Sequence, residues 1–354
     1  MPTFPRILCA VLALAAALPT PRAPAATPTT VIREAWISEP VPDEEMDSLG
    51  LWRPAGGGSP WLLASAKDGA RLLVFDADTG IRIGASGGPG EGPGQFRRPN
   101  GVAVAGDLLF VVERDARRVQ VLQLPQFRVL GEFGREQLQL PYGIWLDTSD
   151  GGAITAYVTD SFMEDFATSR LPPVERLAER VKRYRVGVDA HGALQAEYVD
   201  AFGDTGEAGA LRMVESIAGD PAHGRMLIAE EDRRVGSTLR EYSLQGRYLG
   251  RNLPPFASDA EGVVLWDCGG GAGYWIAADQ VEPTLFRLFD RDTLAPAGRF
   301  TGMRTAGTDG VALGGPTPRF PHGALFALHA DVSVAAFDLG EVARRLKLAL
   351  ACRG

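Results

Sequence analysis

The chain reads as an all-β protein, a six-bladed β-propeller, on three observations. Short apolar strands separated by Gly-rich turns recur along its length, opening near Gly50, Gly101, Gly143, Ser216, Gly262 and Gly310. The period is roughly 40–50 residues with three or four strands per unit, the signature of propeller blades. No unit has enough apolar residues to bury both faces alone, so the units must stack side by side. An isolated strand pattern, TTVIREAWI (29–37), can return to pair with SVAAFDL (333–339) and close the ring without a free edge. An immunoglobulin-like sandwich, or a pair of them, is the competing arrangement for such a strand-rich chain.

Taken in order, residues 1–25 carry Arg6, the apolar run ILCAVLALAAAL and an A-x-A exit. They read as a secretory leader too short to span a membrane. Residues 26–354 form the expected propeller domain, periplasmic or extracellular. Blade one follows LGLWRPAGGGSPWLLASAKDGARLLVFDADTG, and blade two GVAVAGDLLFVVERDARRVQVLQL. Blade three, opened by PYGIWL, is stretched by an insertion at about 161–181 whose second half, PPVERLAER, has a Pro-first helical composition. Blades four to six follow SIAGDPAHGRMLIAEED, GVVLWDCGGGAGYWIAAD and GVALGGPTPRFPHGALFALHAD. A short amphipathic helix is expected at about 340–350.

The net charge of −8 becomes −10 once Arg6 and Arg22 leave with the leader. That balance argues against nucleic-acid binding and is compatible with hard cations. Residues just before the blade openings run Asp47, Asn100, Tyr142, Glu215, Glu261 and Asp309, with Asp259 close by. The ends of the second strands run Lys67, Glu113-Arg114, Asp160, Glu230-Glu231, Asp279 and His329. In a propeller both sets are expected around one channel mouth. Carboxylates brought together there suit Ca²⁺, which takes six to eight oxygen ligands in loose geometry, better than zinc, which favours His and Cys. Turn caps are the other open reading of acids beside glycines.

Nucleophilic motifs fail on context. GASGG (84–88) has no following helix and so no strained elbow. GGPGEGPGQF lacks the Lys-Ser/Thr of a phosphate loop, and DADTG (76–80) lacks the twelfth-position Glu of a calcium loop. Any hydrolysis would fall to a metal-activated water. Of the three cysteines, Cys268 and Cys352 lie beyond the leader, and counting alone leaves them paired or free.

Four segments, VESIAGDPAHGRMLIAEED, SDAEGVVLW…GYWIAADQ, TDGVAL…FPHGALFALHAD and PYGIWL, resemble the β-propeller phytases. These are secreted calcium-dependent bacterial enzymes that hydrolyse inositol hexakisphosphate. GGPGEGPGQFRRPNGVAV also resembles an NHL-type propeller repeat. The phytase resemblance implies six blades and an exported, monomeric phosphomonoesterase acting on a small phosphorylated substrate. It implies calcium ligands at Asp47, Glu215, Glu231, Asp259, Glu261 and Asp309, with Glu215, Glu231, Asp259 and Glu261 serving catalysis. It implies phosphate-facing groups at Lys67, Arg114, Tyr142 and Arg183, and a Cys268–Cys352 disulfide clasping the tail to blade five. Two departures stand out: DSLGLW has Ser48 where the family carries a second Asp, and VEPT replaces a Gly-Asn-Ser-rich loop after Gln280. A non-catalytic calcium-binding propeller and a lactonase-type propeller are the alternative functions.

Overall fold

Hydrophobic alternation decides how the strands stack. In the second strand of blade one, Leu62 packs with blade six while its neighbour Leu63 packs with blade two, because successive side chains leave a strand on opposite faces. The same alternation places one apolar cluster at each of the six blade interfaces. Each interface is a small sandwich core. Phe286, Phe300 and Phe337, for example, pack mutually between blades five and six with centroids 4.8–5.3 Å apart.

The computed structural model describes residues 28–349 and Cys352, so the leader expected at 1–25 lies outside the described residues. Six sheets form a six-bladed propeller. Their innermost strands are Met46–Trp52, Pro99–Ala105, Pro141–Asp147, Val214–Asp220, Ala260–Gly269 and Val311–Gly314. Blades one to five each build four antiparallel strands from consecutive sequence. Blade six builds three, and its fourth is the N-terminal Trp36–Ile37, antiparallel to Ser333–Asp338. Just upstream, Thr30–Val31 adds a short parallel strand to the outside of blade five. The N-terminal segment thus grips two blades, one more than the sequence suggested.

The excursion between Asp160 and Val181 contains a single 3₁₀ stretch, Val174–Glu179, behind Pro172-Pro173. The tail helix spans Leu339–Leu346, capped by Asp338, which accepts from the Glu341 amide at 2.7 Å. It packs Val342 and Ala343 into the cluster between blades five and six. Cys268 and Cys352 form a disulfide there, across 84 residues of sequence. Among the described residues, no helix is long and apolar enough to cross a membrane.

Candidate metal centre

The innermost strands break register at one place. Pairing skips from Met46 to Leu49, Pro99 to Val102, Pro141 to Ile144, Val214 to Ile217 and Ala260 to Val263. Each skipped pair is a bulge, and a bulge re-aims its side chain. The skipped pairs are Asp47-Ser48, Asn100-Gly101, Tyr142-Gly143, Glu215-Ser216 and Glu261-Gly262, with Asp309-Gly310 in line in blade six. The register therefore puts Ser48, not Gly50, at the opening of blade one.

In four of the six blades the second residue of the pair is glycine, where neighbouring backbones nearly touch. A Cβ on Gly143 would sit 2.3 Å from the Glu215 carbonyl oxygen, and one on Gly310 would sit 2.6 Å from that of Asp47. Hydroxyls tie adjacent blades at the same level. Thr159 accepts from the Gly143 amide at 2.8 Å and donates to the Glu215 carbonyl at 2.7 Å. Ser65 does the same between Ser48 and Asn100, while the Ser48 hydroxyl accepts from the Val102 amide at 3.2 Å. Ser48 is thus a spacer between blades one and two.

Asp47, Tyr142, Glu215, Glu261 and Asp309 line one small mouth of about 40 Å³. That is room for an ion and a few waters, not for an organic ligand. It opens into an apolar channel of about 460 Å³ walled by residues such as Leu49, Val102, Ile144, Val263 and Val311. Carboxylate oxygens of Glu215, Glu231 and Glu261 lie within 4.8 Å of one another. Glu261 is only 9 % exposed, and Glu231 Oε1 is buried with no hydrogen-bond partner. Asp259 stands beside them at the rim, held by Arg233 through Nε–Oδ1 at 2.7 Å.

Burial and mutual repulsion raise the pKa of crowded acids. Burial and then the Asp47 charge push Glu215 up to about 8, and burial and the same charge push Asp309 up to about 7. Burial and then the Glu215 charge hold Glu231 and Glu261 well above the usual range. An oxygen-only donor set with an unsatisfied buried carboxylate fits a hard cation such as calcium. Glu215, Glu231 and Glu261 are the residues placed to hold one, with Asp259 within reach of the rim.

The second-strand ends divide into two rings, where the sequence suggested one. Glu113, Asp160, Glu230 and Asp279 are buried under the incoming loops and do not face the mouth. Glu113 accepts from the Arg97 amide, Asp160 from Gln139 and Leu140, Glu230 from Arg212 and Met213, and Asp279 from Ala257 and Ser258. His329 does the same for the Ala306 amide through Nδ1. Their charges are matched locally, as where Lys182 meets Asp160 at 2.8 Å. The following residues, Lys67, Arg114, Glu231 and Gln280, are the ones that approach the acids at the mouth.

Lys67 is enclosed: its Nζ lies 2.8 Å from Asp47, 3.1 Å from Glu45 and 3.9 Å from Asp309. Burial opposes its charge, yet these three carboxylates hold the ammonium above its ordinary pKa. Arg114 bonds to Asp115 at 2.7 Å, has the Tyr142 hydroxyl as an electrostatic neighbour, and lies 5.3 Å from the Phe166 ring centroid. Burial and then the Glu215 charge raise Tyr142 to about 12, so it stays a donor. Arg183 is not brought to the mouth. It pairs with Asp200 on its own blade and donates to the Leu244 carbonyl of blade four at 3.1 Å. Its place on the third strand, opposite Tyr157, carries it down the blade.

Several residues at the site carried no motif. Phe166 belongs to the insertion, whose base is fixed by Arg180 donating to the carbonyls of Asp160, Phe162, Leu211 and Arg212. With Phe166 on Arg114 of blade two and the Ser169 carbonyl accepting from Arg234 of blade four, the insertion reaches over blades two to four. Gln280 bonds to Asp309, Arg98 to Glu45, and Arg233 to Asp259. The one available signal was position: Gln280 directly follows the capping acid of its blade, as Glu231 does.

No protein-family model matches the chain, and no curated protein matches it. Among solved structures, the hydrazine synthase of Kuenenia stuttgartiensis is similar over 88 % of this chain and 86 % of that one, with 15 % identity and a TM-score of 0.49. A likeness this distant says nothing about the chemistry of the mouth.

Proposed function

We propose that this propeller is an exported, calcium-dependent phosphomonoesterase of phytase-like type, acting on small inositol-phosphate-class substrates. One observation carries it: three glutamates from blades four and five converge at the channel mouth with no basic partner within ion-pair distance among the described residues. Glu215, Glu231 and Glu261 would hold the ion. Calcium, when bound, would polarise a phosphoryl oxygen and acidify a nearby water. Arg114, oriented by Asp115 and Tyr142, is placed to bind a phosphate oxygen and stabilise its developing charge. Asp259, paired with Arg233 at the rim, would take the proton as water attacks phosphorus and pass it to the leaving oxygen as the P–O ester bond breaks, releasing the alcohol. Export accords with the leader-like sequence at 1–25 and with a disulfide, which persists in oxidising compartments.

The test is phosphate release from inositol hexakisphosphate with added Ca²⁺ and after chelation. Release that needs calcium supports the enzyme; no release in either condition refutes it. A second reading, a non-catalytic calcium-binding propeller that recognises a ligand, draws on the enclosure of Lys67, which leaves one fewer free cation for phosphate. Calcium binding without turnover would select it.

A further inference from the structure

Charge is distributed unevenly around the mouth. On the side of blades one and six stand Asp47 and Asp309, with Glu45 and Asp331 just behind. Lys67 Nζ sits among them, within 4 Å of three carboxylates and close enough to Asp331 to act on its charge. Arg98 takes the other flank of Glu45 through a 2.7 Å bond. On the side of blades four and five stand Glu215, Glu231 and Glu261, and among the described residues no Lys or Arg pairs with any of them. Arg233 stops at Asp259.

Resting on the metal reading above, we infer that Lys67 is a resident cation. Its ammonium occupies the place a second metal ion would take, and so limits the mouth to one divalent ion on the glutamate side. The chemistry is the exchange of one positive centre for another. A largely enclosed ammonium meeting three carboxylates supplies the countercharge that a calcium ion would supply there, without coordination or bound water. Its side chain is 12 % exposed, Asp47 and Asp309 that flank it are 15 % and 17 % exposed, and Glu45 on the outer side is 30 % exposed, so the amine is turned inward onto the acids and each carboxylate already meets it. Lys67 therefore positions carboxylates and sets metal stoichiometry; it is not a substrate ligand.

Isothermal titration of the chelator-stripped full chain with CaCl₂, repeated with TbCl₃ luminescence, tests this. The native protein should take one tight ion. Lys67→Met should take two, and Lys67→Arg, which keeps the charge, should still take one. Thermal unfolding gives an independent readout: Lys67→Met should be less stable than native in chelator and recover most of the loss in calcium. Two tight ions in the native protein would overturn the inference while leaving the metal reading intact. One ion in native and Lys67→Met alike would overturn it too. No binding by the native chain would remove the metal reading and this inference together. Where Lys67→Met fails to fold, Lys67→Gln, which also removes the charge, takes its place and should likewise bind two ions.

Discussion

Glu261 is the side chain on which the mouth's behaviour turns, being 9 % exposed with two other glutamates close by. Replacing it with Gln keeps the shape and removes one charge, so calcium affinity should fall about tenfold or more, as measured by titration. The raised carboxylates also fix a pH signature. Glu215 at about 8 and Asp309 at about 7 lie above their unfolded values, so the folded state binds more protons than the unfolded one between about pH 4.5 and 8. In chelator, their contribution to stability is complete below about pH 4.5 and is lost as pH rises through 7–8. Thermal unfolding across that range should show this decline, and saturating calcium, which binds the ionised glutamates, should remove the part that Glu215 contributes. Asp47, Glu215, Glu261 and Asp309 were legible from sequence because each precedes a blade opening, and Glu231 because it directly follows a second strand. Burial was not: nothing local distinguishes Glu230, which caps amides, from Glu231, its neighbour at the mouth.

At the scale of the element, the bulge and the insertion do the positioning. Gly143→Ala would place a methyl 2.3 Å from the Glu215 carbonyl, forcing blade three away from blade four. Overpacking of this kind costs about 1–3 kcal/mol, and the shift should weaken calcium binding in the same variant; denaturant unfolding and titration measure the two effects. Phe166→Ala removes the ring over Arg114. With such contacts contributing about 0.5–1 kcal/mol at exposed sites, KM for inositol hexakisphosphate should rise a few-fold with calcium affinity unchanged. The blade repeat was readable because short strands and turns are local signals. The insertion was readable only as an interruption, since its course is fixed by the carbonyls gathered around Arg180 and by the reach of Phe166. Arg183 shows the limit: an arginine near the right blade, turned by strand register toward Asp200 and Leu244.

The whole molecule is a ring of nearest-neighbour interfaces, with a channel at its centre, and closure is what makes it one unit. Trp36–Ile37 completes blade six, Thr30–Val31 extends blade five, and the Cys268–Cys352 link ties the tail to the same sector. Replacing both cysteines with Ser should lower stability by about 2–4 kcal/mol in denaturant unfolding and leave calcium affinity unchanged, because the link is remote from the mouth. Ring closure was foreseeable from one stray strand, and the disulfide from family resemblance alone. The packing of blade four on blade five brings Glu215 and Glu231 to Glu261, the juxtaposition on which the proposed function rests. The most direct test is anomalous diffraction from crystals soaked in a calcium-mimicking lanthanide. A peak bounded by the carboxylates of Glu215, Glu231 and Glu261 is the predicted result; an empty mouth at saturating ion, or a peak held by other residues, would contradict it.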